Sequence, residues 1–140
     1  MNFLRMASAS VAAFLAYFVV GGLIFGLVPS LKSEFLKYPA VYRTQQGQMR
    51  FMPLGAAAMF IAIVALAALY AMLSHDGSGL ANGARFGSLI GTFFVGAFVV
   101  HNYVNLNIGL KLTVQQAVAY FLEWLIVGIV IGVVYRPSTP

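Results

Sequence analysis

Four stretches of this chain, residues 7–28, 54–73, 86–106 and 114–135, run almost without charge. Each has about the 20 residues that carry a helix across a bilayer core. Inside hydrocarbon every backbone N–H and C=O must find its partner within the protein, so segments of this length span as helices. The expected architecture is all-α, a four-helix transmembrane bundle folded as one domain over residues 1–140. Composition agrees, because 8% of residues are charged against about 25% in an ordinary soluble domain. The short connections leave no room for a soluble catalytic domain.

Eight Lys and Arg against Glu34, Asp76 and Glu123 leave a net charge of +5. The basic residues sit in connections and at helix ends, where they favour anionic headgroups and bias orientation. The lipid bilayer is therefore the expected partner, and nucleic acid is not. Loops one and three carry Lys32, Lys37, Arg43, Arg50 and Lys111, and the opposite side carries Arg5, Arg85 and Arg136. That bias places both loops in the cytoplasm and both termini outside, in a bacterial inner membrane. The absence of cysteine excludes disulfides, thiolate nucleophiles and cysteine metal sites.

The first apolar run is longer than the ~7–15-residue core of a secretory signal, and no small-residue cleavage motif follows it, so it reads as an uncleaved span. In the connection that follows, Ser30 is placed to cap a short interfacial helix over about residues 31–38. Leu31, Phe35 and Tyr38 would lie on one side of it, with Lys32, Glu34 and Lys37 on the other, and Pro39 would end it. The second span is expected to start at Pro53, in the first turn of its helix. The glycine-rich connection at Asp76-Gly77 reads as a flexible turn with a solvated His75. Only residues 108–113 separate the third and fourth spans, which makes them antiparallel neighbours. Small residues recur four apart at Gly22 and Gly26, Gly87 and Gly91, and Gly128 and Gly132, with Gly96 beyond. Such pairs let helices approach closely, within the bundle or between copies.

Residues 99–124 are the one place where amides and ionisable groups interrupt apolar sequence. A turn centred near Lys111 puts His101 and Glu123 at depths of roughly 15 and 18 Å, near the middle of the core. Gln116, Tyr120 and Glu123 share one face of the fourth helix at i, i+4, i+7, and His101 and Asn105 share a face of the third. Facing stripes would form a polar seam of Glu123, His101, Asn105, Tyr120, Gln116 and Asn102 between spans three and four. Two readings of it are open: an interhelical hydrogen-bond clasp, or a site that exchanges a proton. No nucleophile accompanies the acid and histidine, and two ligands are too few for a metal. No phosphate loop or cofactor fingerprint is present, so neither catalysis nor a cofactor is expected. Tyr103, Tyr120 and Trp124 serve either as packing or as a stack for a flat ligand.

The run Val20-Gly21-Gly22-Leu23-Ile24-Phe25-Gly26, the sequence Gly83-Ala84-Arg85-Phe86-Gly87, the Asn102-Tyr103 element and the Gly128/Gly132 end of the last span together carry a resemblance. The chain resembles a group of small bacterial four-helix membrane proteins classed only as a domain of unknown function. The tryptophan-containing stretch that follows the first span in that group has no counterpart here. The resemblance implies a four-helix membrane fold and brings no activity, cofactor or site residue. The expected function is to handle or sense a proton-linked small solute, as a homo-oligomer. The competing expectation is a non-catalytic accessory or scaffold subunit of a larger membrane complex.

Overall fold

The computed structural model describes residues 2–73 and 79–136, and the Asp76-Gly77 turn, His75 and Pro137 lie outside them. In chain order the helices are α1 (Phe3–Leu27), α2 (Pro29–Phe35), α3 (Gln45–Leu73), α4 (Gly79–Phe94), a π-helical stretch over Val95–Val100, α5 (His101–Asn105) and α6 (Leu110–Tyr135). Four continuous helical rods, of 25, 29, 27 and 26 residues, are long and apolar enough to cross a membrane. The chain is an all-α, multi-pass membrane protein.

Local chemistry explains most helix ends. Asn2 caps α1, its side chain accepting from the Arg5 amide at 3.0 Å. Pro29 fills the first turn of α2, where a missing N–H costs nothing. Ser30 is therefore inside that helix rather than its cap. The second span begins eight residues before the expected Pro53. Thr44 provides the start, its hydroxyl accepting from the Gly47 amide at 3.2 Å. Pro53 thus sits within α3, on a stretch where Met49, Met52 and Leu54 are all exposed and the lost backbone bond opens outward.

α6 is the hub and the most buried of the spans. It packs against α4 along most of its length, against α1 on its other side, and against α2 and α3 at opposite ends. The α4–α6 contact is backbone on backbone. A Cβ at Gly83 would come within 2.5 Å of the Gly128 carbonyl oxygen, and one at Gly87 within 2.7 Å of the Leu125 carbonyl oxygen. Gly91 meets Phe121, and Gly132 faces Gly79 and Gly83. Of the expected packing glycines, Gly87, Gly91, Gly128 and Gly132 hold helices together, whereas Gly22, Gly26 and Gly96 face open space. The α1 glycine that does pack is Gly21, about 100° around the helix from Gly22.

On one face of the bundle, which we call the loop side, α2 is latched onto the start of α6. Leu31 is buried with Ile108, Leu112 and Ala119, and Phe35 and Tyr38 pack against them. The Tyr38 hydroxyl accepts from the Gly109 amide at 2.9 Å. Glu34 departs from the expected polar face. It is 3% exposed, and its carboxylate accepts from Lys37 at 2.7 Å and Lys111 at 2.8 Å. Those two ammonium groups hold the Glu34 carboxyl below its ordinary value.

Candidate functional site

The turn between the last two spans occupies Leu106 to Gly109, so Lys111 already lies in the first turn of α6. That shift changes the depths. At 1.5 Å per residue, Glu123 lies about 20 Å from the loop-side end of α6, and His101 only about 6 Å from the end of α5. The two do not share a height. They do not share a direction either. The π-helical stretch takes up extra residue width and rotates every face that follows it. His101 and Asn105 emerge exposed, Asn105 donating back to the His101 carbonyl at 2.8 Å, and Asn102 is half-buried. The expected seam between spans three and four is not formed.

Glu123 and Gln116 instead face α1 and the connection before α3, while the Tyr120 ring packs on Phe94 and Phe98 of the third span. Glu123 is 3% exposed and Gln116 4%. A Cβ at Gly21 would lie 2.9 Å from Glu123 Oε1, so the carboxyl rests on bare α1 backbone. One turn earlier on α1, the Tyr17 hydroxyl lies within electrostatic reach of the carboxyl. Glu123 Oε2 is buried with no partner from the protein, and so is Trp124 Nε1 beside it. Among the described residues no Lys, Arg or His pairs with Glu123; the ion pairs they form are those of Glu34.

From Glu123 a file of polar groups runs toward the loop side. The Tyr120 hydroxyl lies within electrostatic reach of Glu123 and of Tyr42, and Gln116 Nε2 donates to the Tyr42 hydroxyl at 3.3 Å. The walls are aromatic. The Tyr17 and Trp124 rings are 5.7 Å apart, Phe94 and Trp124 5.5 Å, and Phe94 and Tyr120 5.3 Å. Tyr103 takes no part, being exposed on α5.

The sequence reading missed Tyr17, Gly21 and Tyr42. A usable signal exists for the first two. Tyr17 is the only phenol in the first span, and Gly21 follows it at i+4, giving one polar and open face at mid-membrane depth. Tyr42 had no such signal, because a loop position has no periodicity.

An isolated carboxylate cannot be left ionised in hydrocarbon without a counter-charge. The site is therefore chemically able to hold a proton, or to trade it for another cation. Comparisons with family models, curated proteins and solved structures return no match for this chain.

Proposed function

We propose that this protein is a non-enzymatic membrane component that handles or senses a proton-linked small solute through Glu123. One observation carries the reading. The one acid within the described membrane spans sits midway along the central helix, buried, with one oxygen unpartnered and no basic side chain to neutralise it. A clasp that served packing alone would satisfy its donors and acceptors, because a half-satisfied buried polar group costs more than an apolar one. The Tyr120–Tyr42–Gln116 file supports proton exchange from the loop side. The excess of Lys and Arg in the connections supports a cytoplasmic loop side in a bacterial inner membrane.

The test is infrared spectroscopy of the protonated-carboxyl band in lipid, with Glu123→Gln as reference. The expected result is a band absent from the variant that comes and goes as pH is cycled across the neutral range. A band that persists at every pH would refute proton exchange and leave a neutral clasp.

A second reading is an accessory or scaffold subunit. It is favoured by Gly22 and Gly26, which face open space on an exposed side of α1 that a partner helix would fit closely. Co-purification with a stable larger complex would support it, whereas self-association alone favours a homo-oligomeric solute-handling protein.

A further inference from the structure

Apart from Glu123, a groove of about 260 Å³ runs between α1, α2 and α6. Ile24 and Val28 line its α1 side, Leu31 of α2 closes its loop-side end, and Val114, Gln115 and Val118 of α6 form its floor as far as Leu122. From Val114 to Leu122 that floor covers roughly 12 Å of α6. Val114 and Val118 are exposed, so the groove opens sideways to the acyl chains. Gln115 is the one polar residue among those lining it. Its Nε2 donates to the Ser30 hydroxyl at 3.1 Å, and its Oε1 is buried without a partner. The amide therefore ties α2 to α6 at the top of the groove, and the surface open to an occupant is almost wholly apolar.

The loop-side rim has the opposite character. Lys111, Val114, Gln115, Val118 and Leu122 follow at i, i+3, i+4, i+7, i+11, so Lys111 stands one turn above the groove on the same stripe of α6. Its Nζ lies 2.8 Å from Glu34 Oε1, and Lys37 Nζ lies 2.7 Å from that same oxygen. Both lysine side chains are more than half exposed, whereas the carboxylate between them is covered. Two positive charges against one negative leave the rim cationic. Ser30, one turn before Glu34 on α2, accepts from Gln115 and has its own O–H left to donate.

We propose that the groove binds a single anionic phospholipid of the surrounding bilayer, one acyl chain lying in the groove and the phosphate resting on Lys111, Lys37 and Ser30. Floor and rim together select this ligand. A hydrophilic solute would lose its hydration among the floor side chains with nothing to replace it. An uncharged or cationic amphiphile would fill the floor and leave the paired ammonium groups unmatched. A phosphate diester accepts charge-assisted hydrogen bonds from both lysines and cancels the surplus charge of the rim. Depth agrees, because Lys111 lies in the first turn of α6 and Leu122 roughly 18 Å below the start of that helix. That is the course of an acyl chain from its headgroup toward the middle of a ~30 Å core. The site does not depend on the proton reading of Glu123.

The test is native mass spectrometry of the protein released from neutral detergent micelles. It is titrated with phosphatidylglycerol and, separately, with phosphatidylcholine of identical acyl chains. One phosphatidylglycerol is expected to bind ahead of all others, about fivefold tighter than phosphatidylcholine, the preference that one net positive charge gives at a membrane surface. Lys37→Gln cancels that charge while Lys111 still holds Glu34, so the preference disappears and phosphatidylcholine binding is unchanged. Lys32→Gln removes an equal charge about 200° around α2 from Ser30 and leaves the preference intact. Val118→Phe fills the groove at an exposed position and weakens both lipids at least about fivefold. Unchanged helical circular dichroism shows that each variant is folded. Equal binding of the two lipids by the wild type would overturn the proposal and leave a slot for any bilayer chain. A preference that survives Lys37→Gln, or that Lys32→Gln removes as fully, would overturn it by assigning the effect to the general charge of the loop side. Phosphatidylglycerol binding untouched by Val118→Phe would overturn it by placing the lipid elsewhere.

Discussion

Replacing Gly128 by alanine adds one carbon where α4 and α6 touch backbone to backbone. That carbon would lie 2.7 Å from the Gly83 carbonyl oxygen, and closer still to Cα and N of Gly87. Ordinary non-bonded carbon contacts fall near 3.5–4.0 Å (roughly), so the helices must part by about 1 Å. None of the atoms met belongs to a rotatable side chain, and no rotamer change relieves the clash. Overpacking of this kind costs about 1–3 kcal/mol, or about 5- to 150-fold in the folding equilibrium. Gly22→Ala is the matched control. Its added carbon meets nothing within 4 Å, and the helix gains up to about 0.5–1 kcal/mol from lost backbone freedom in the unfolded chain. The assay is reversible unfolding in mixed micelles, followed by helical circular dichroism against detergent fraction at fixed protein concentration. Opposite signs are expected. The backbone-contact argument fails if Gly128→Ala matches wild type, or if both substitutions destabilise alike.

Two further outcomes concern the loop side. The lysines beside Glu34 hold its carboxyl below the ordinary value, so its contribution to stability is complete above the unfolded-chain value of about 4.3. It is lost as pH falls through the lower folded value. Amide exchange in α2, corrected for intrinsic rates, should therefore be flat from neutral pH to about 5 and rise only at stronger acid, with Glu34→Gln removing the step. An exchange rise near neutral pH would contradict the pairing. Tyr38→Phe strips the Gly109 amide of its acceptor and should destabilise the turn before α6 by about 1–3 kcal/mol. Faster exchange at Gly109 with an unchanged Glu123 infrared band is the expected signature; altered carboxyl behaviour would mean that the latch and the membrane site are coupled.

The spans were legible because crossing hydrocarbon leaves a backbone few choices, and length with low charge then marks each helix. Glu123, Gln116 and Tyr120 were legible as one face because α6 is regular. Their partner was not. Hydropathy gives depth but says nothing of rotation about the helix axis, and the π-helical stretch at Val95–Val100 turned His101 and Asn105 away, its single Gly96 being too common a residue in membrane helices to announce it. The same ambiguity separates Gly21 from Gly22, neighbours in sequence that look in different directions. Pro53 misled for another reason: a proline marks where a helix tolerates a missing donor, and Thr44 with an outward-facing first stretch made that tolerance available eight residues in.

The hub position of α6 has a consequence for biosynthesis. It is the last of the four spans in chain order, yet α4 rests almost entirely on it and α1 packs on it more extensively than on α3. When the first three spans leave the ribosome they share few surfaces, and their inward glycines and the Tyr17 hydroxyl face lipid or the translocon. The contacts among α1, α2 and α4 are therefore completed only by α6, which brings their counterparts together. Until α6 inserts, Glu123 has not entered the membrane, and the nascent chain carries no acid across the bilayer within its described spans. The costliest residue to insert arrives together with the helix that buries it.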